Sequence, residues 1–275
     1  MSPQVTAAII AGSVGVLTVI ATVVTQYLGR RATSRDTQKA LEEQGKQLDR
    51  TLEEQGKQLD RTLEEQHTRT LNELYTQAVE QLGNDKAPVR LGGLYALERL
   101  AQDNPAHRQT IVNNICAYLR MPFSSTRPSG PEATATWEQE RQVRVTAQRI
   151  LGEHLRDERT EDKRSTEPPS PRFWNDIRLD LVGATLIDFD IRNGVTPDAD
   201  FRGATFSDDA WFSGATFSGA AWFSGATFSD DAWFNDATFH DDAHFGATFS
   251  GTAWFGGATF SDDADFQEAT FGGGA

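Results

Sequence analysis

From Ala199 to Phe271 the apolar residues return in a fixed phrase. The triplet Ala-x-Phe occurs fourteen times, its Phe residues alternately five and six positions apart, with a single step of four from Phe245 to Phe249. Ser, Gly and Asp fill the intervals. Phe at those spacings walks around a helix without forming a stripe, and Gly and Asp-Asp break helices. In an extended segment, residues two apart share a side and the one between points away. The pattern therefore predicts short strands with Ala and Phe inward, Thr or Trp outward, and polar corners between. A short fixed period is the mark of a solenoid, whose coils stack about 4.8 Å apart.

Upstream the apolar period changes to that of helices. Leu41, Leu48, Leu52, Leu59 and Leu63 are spaced 7, 4, 7, 4 within an eleven-residue repeat, Leu-Glu-Glu-Gln-Gly-Lys-Gln-Leu-Asp-Arg-Thr. Eleven residues over three turns keep one stripe on one helical face, with a slight right-handed drift. This predicts a stalk that pairs as a coiled coil, or else a solvated single helix. Three stripes follow: Leu71, Leu74, Ala78 and Leu82; Val89, Leu91, Leu94, Leu97 and Leu100; Ile111, Val112, Ile115 and Leu119. Gly83-Asn84-Asp85, Asn104-Pro105 and Pro122 punctuate them. Trp137 to Arg159 carries Val143, Ala147, Ile150, Leu151 and Leu155 on one side. Val5 to Leu28 has no charged residue and is long enough for a transmembrane helix. Basic residues crowd its C-terminal side (Arg30, Arg31, Arg35, Lys39), which places the bulk of the chain in the cytoplasm by the positive-inside rule.

The phrase Ala204-Thr205-Phe206-Ser207-Asp208 resembles the repeat of the pentapeptide-repeat proteins. The register extends upstream at a strict five through Leu181, Leu186, Ile191, Thr196 and Phe201, giving eighteen centres up to Phe271. The resemblance implies a right-handed square β-helix of about four and a half coils. The six-residue steps demand an extra corner residue on alternate faces. The stretch Val89 to Leu100 resembles the helical segment before the repeats in many bacterial membrane-anchored members, and also a HEAT-like helical hairpin. The expected fold class is α plus β-solenoid, with an N-terminal transmembrane helix, a helical stalk and a small helical unit before the β-helix. In residue numbers this reads 1–31 anchor, 32–70 stalk, 71–122 helical unit, 123–136 linker, 137–159 amphipathic helix, 160–172 linker and 173–275 repeats.

Charge separates these parts. The net charge is −14. From Phe173 onward sixteen Asp and one Glu face three Arg, which is 3 − 17 = −14, so all the acidity belongs to the repeats. Direct nucleic-acid binding is not expected of such a surface. One cysteine, Cys116, excludes an internal disulfide framework and reads as a buried structural thiol. No phosphate loop, nucleophile elbow or zinc spacing occurs, so no catalytic residue, cofactor or metal is expected. The densest candidate for a metal, His240-Asp241-Asp242-x-His244, reads as a solvated corner.

The outward columns are the candidate interaction surface. At about 22 residues per coil, Trp211, Trp233 and Trp254 stack on one face, and Trp222, His244 and Asp265 on the opposite one. The Trp column reads first as cross-strand stacking and second as a face for a partner. Asp208, Asp209, Asp230 and Asp231 form one acidic corner, and Asp241, Asp242, Asp262 and Asp263 another. The function expected is a non-enzymatic, membrane-anchored scaffold that binds an unknown protein, self-associating through anchor and stalk. Two alternatives stand: the resemblance implies a DNA mimic that modulates DNA gyrase, and an enzyme is the least favoured reading.

Overall fold

The structure is a computed structural model that describes residues 35–159, 161–164 and 166–273. It divides into two compact units, residues 1–67 and 68–275. The expected membrane span, Val5 to Leu28, lies outside the described residues. Among the described residues no helix is long and apolar enough to cross a membrane.

In the first unit the eleven-residue repeats are helical, within one helix, α1 (Arg35–Leu82). Lys46–Glu42 and Lys57–Glu53 pairs, each four apart, brace its exposed side. The helix continues past the expected stalk boundary at residue 70 without a break and stops before Gly83.

In the second unit the last turns of α1 pack with α2 (Ala87–Asp103) and α3 (Arg108–Arg120). Pro88 occupies the first turn of α2, where a missing N–H costs nothing. A Cβ on Gly93 would lie 2.7 Å from the Ala78 carbonyl oxygen, so only glycine allows this approach of α2 to α1. Cys116 is buried in this core, and burial pushes its thiol up to about 12. The next helix, α4, runs Pro131–Leu155 rather than 137–159. Its start lies inside the expected linker, and the remainder of that stretch is held in place. Trp137 donates its indole N–H to the Ser124 carbonyl at 2.8 Å, and its ring stacks on Phe123. Arg144, almost wholly buried, donates to the Leu119 and Met121 carbonyls. α4 ends because Arg156 turns extended and bridges to Gly194 of the repeats.

Among the described residues the repeats form eighteen two-residue strands in four parallel sheets, so each coil has four sides. Thr185 pairs with Thr205, Thr205 with Thr227, Thr227 with Thr248 and Thr248 with Thr270. Coils of 20, 22, 21 and 22 residues thus stay in register. The irregular steps are absorbed at corners. Apart from Leu186 to Ile191 and Thr196 to Phe201, which stand where later coils take six, the five-residue steps close with a turn like the one in which Ala215 donates to the Phe212 carbonyl and Gly214 takes φ +67°. This is type II turn geometry, which needs a residue tolerant of positive φ, and Asn193 and Asp236 serve the same place. Six-residue steps swing wide with no such bond. The single step of four, at Gly246, tightens to a three-residue turn, Ala247 donating to the Phe245 carbonyl at 2.6 Å.

Inside, each Phe ring stacks on its equivalent one coil away, Phe206 on Phe228 at 4.4 Å and Phe212 on Phe234 at 4.6 Å. Rings from opposite sides meet edge to face across the interior, as Phe212 and Phe223 do at 90°. Leu181, Leu186, Ile191 and Thr196 occupy the upstream centres and are buried. Thr196, a hydroxyl in a Phe position, is satisfied by the Ile177 and Asp198 carbonyls. Phe189 lies in an Ala position, paired with Ala210, and is fully buried in the shorter first coil.

Candidate interaction surface

A β-solenoid's first coil leaves an open edge of backbone groups. Here helices close it. Gln109 of α3 accepts from the Arg178 amide at 2.8 Å and donates to the same residue's carbonyl at 3.0 Å. Gln148 of α4 does the same for Ile187, at 2.8 and 2.6 Å. Gly152 lets α4 lie against the Asp190 carbonyl, which a Cβ would meet at 2.3 Å. His154 stacks flat on Trp174, with ring centroids 3.8 Å apart. Its Nδ1 faces the Arg172 carbonyl at 2.6 Å and its Nε2 the Glu98 carboxylate at 2.8 Å. The hydrogen bond from His154 holds the Glu98 carboxyl below its ordinary value, against the opposing effect of burial. No motif in the sequence marks Gln109, Gln148, His154, Trp174 or Glu98. The only signal was polarity on an apolar face: Gln148 and His154 sit among Ala147, Ile150, Leu151 and Leu155.

With the interior filled and the first edge covered, the outward columns carry what the repeats can offer. The register brings Trp211, Trp233 and Trp254 together, with ring centroids 5.4 and 5.3 Å apart and nearly parallel planes. The rings cover one another's faces. Below Trp211 the column ends on Asp190 and the Arg192 guanidinium, 5.0 Å from the ring. Trp211 donates its indole N–H to Asp188 at 3.1 Å, whereas the buried Trp233 Nε1 has no partner among the described residues. Trp254, 44% exposed, is the open end of the stack. The opposite face pairs Asp200 with Trp222, Trp222 with His244 and His244 with Asp265.

The acidic corners also stack. Ala210 pairs with Ala232, so Asp208 and Asp209 sit beneath Asp230 and Asp231. Each second Asp reaches up one coil: Asp231 accepts from the Thr252 amide at 2.8 Å, and Asp209 from that of Asp231. Burial, then the neighbouring Asp230, Asp231 and Asp188 carboxylates, raise the Asp209 carboxyl above its ordinary value. On the other side Ala243 pairs with Ala264, which places Asp241 and Asp242 beneath Asp262 and Asp263. There Asp241 and Asp262 bond the amide of the next residue instead. Carboxylate oxygens of Asp241, Asp242 and Asp262 lie within 4.8 Å of one another. His240 and His244 do not belong to that group, so the aspartates converge across coils and not with the histidines beside them in sequence.

A family model described as Pentapeptide repeats (9 copies) matches residues 201–247. No curated protein and no solved structure matches the chain.

Proposed function

This chain is a pentapeptide-repeat protein, and from that premise we propose that it works without catalysis, as a scaffold presenting an acidic β-helix to protein partners. The observation that carries this reading is the filled tube. Phe and Ala occupy the interior, the strands are paired coil to coil, and the ordered chemistry lies on outward columns of Thr, Trp and Asp. The reading includes right-handed winding, a membrane helix at Val5 to Leu28 with the repeats cytoplasmic, self-association through anchor and stalk, and no direct nucleic-acid binding. The full chain is expected to pellet with membranes, and a chain lacking residues 1–31 to stay in the supernatant. A full-length chain soluble without detergent removes the anchor.

The stacked corner carboxylates favour a second reading, a DNA mimic acting on DNA gyrase. Acid rising one coil at a time along the tube supports it. A supercoiling assay with purified gyrase separates the two readings. The scaffold reading expects no change in rate at micromolar chain, and the mimic expects inhibition or protection that weakens with salt.

A further inference from the structure

The α1 stripe is an apolar seam without a cover in the described chain. Leu48, Leu52, Leu59 and Leu63 are 38 to 50% exposed. Gly45 and Gly56 lie on the same stripe, each four residues after a Leu and three before the next, with open space around them. Each costs the helix about 1 kcal/mol relative to Ala, a cost that a closely approaching second helix offsets. The two flanks of the seam differ in chemistry. At eleven residues per three turns, Asp49 and Asp60 border it on one side, with Glu53 behind them paired to Lys57. Gln44, Thr51 and Gln55 border it on the other side, where no charge occurs.

We propose that this seam, Leu41 to Leu63, pairs with the same seam of a second copy of the chain, the two helices running parallel. In a parallel two-fold pair opposite flanks meet, so the Asp49 and Asp60 carboxylates face glutamine amide donors. In an antiparallel pair like flanks meet, setting Asp row against Asp row beside a desolvated seam. The asymmetry therefore selects one orientation, a use of charge against the wrong arrangement. The proposal rests on the self-association of the scaffold reading only for the existence of a partner copy.

Full chains carrying Leu41→Cys or Leu63→Cys, oxidised in detergent or membranes, test it. These positions are about 33 Å apart on the helix axis. A parallel seam brings each to its own copy, so both variants form covalent dimers, while Arg50→Cys on the far side does not. An antiparallel seam allows self-contact at one of the two at most, so a cross-link at only one, or at neither, overturns the proposal. Adding Leu48→Asp and Leu59→Asp should abolish both cross-links with helicity otherwise kept. Cross-links that persist mean that another segment holds the copies, which also overturns it. Light scattering keeps the two readings apart: a monomeric mass removes self-association altogether, and an oligomeric mass without both cross-links removes only the parallel seam.

Discussion

Thr227 and Phe228 are adjacent, yet one faces water and the other a stack of rings. Phe228 is fully buried, 4.4 Å from Phe206 and 4.7 Å from Phe249. Phe228→Ala should cost about 3–5 kcal/mol through lost transfer energy and a cavity that a hydrogen-bonded tube cannot collapse. Phe228→Asp should unfold the repeats, because a carboxylate there has no partner. Thr227→Asp should shift the melting temperature only slightly. Equal losses from the two Asp substitutions would mean that the inward and outward sides are misassigned. The alternation was legible in the sequence because a strand's period of two leaves no third choice. Phe189 was not: its place, paired with Ala210, depends on the shorter first coil, and no repeat phrase marks it.

Among elements, the helices before the repeats work as a lid on the first coil. Gln148→Leu keeps the volume of the side chain but orphans the Ile187 amide and carbonyl, at about 1–3 kcal/mol for each group. The loss should appear as earlier melting of the whole second unit, and a separate transition for helices and repeats would contradict the lid. The Glu98–His154 contact adds a pH dependence. The folded Glu98 carboxyl titrates below its unfolded value, so its contribution is present above the unfolded value and lost as pH falls through the folded one. The melting difference between wild type and Glu98→Gln should therefore be largest near neutrality and close in acid. A gap that stays constant with pH would sink this account. The lid was hidden in the sequence for a physical reason. Apolar stripes show that a helix is buried, but not against what, and the Pro/Ser/Thr composition of 123–136 concealed that α4 begins at Pro131. Gln109 and Gln148 look like ordinary helix polars until the open edge they satisfy is seen.

For the molecule as a whole, the balance to decide is between tube packing and the charge stacked on its corners. Asp209 sits among Asp188, Asp230 and Asp231, and burial together with those charges raises its folded carboxyl. A raised folded value means that the native state holds its proton more tightly than the unfolded chain. The stabilisation is thus present below the ordinary Asp value and lost as pH rises through the raised folded one. At neutral pH the ionised corner works against the fold. The corner is solvated, so the repulsion is modest and screened by salt. Asp209→Asn removes the charge but keeps an oxygen to accept the Asp231 amide, so repulsion is separated from hydrogen bonding. The full chain carrying it should melt higher than wild type at neutral pH and low salt, and the gain should shrink as NaCl rises. Wild type itself should melt higher in salt. If Asp209→Asn melts lower at every salt concentration, the extra strength that the charge gives the bond from the Asp231 amide outweighs the repulsion, and the corner carboxylates are fasteners of the coil rather than a charge that the tube tolerates.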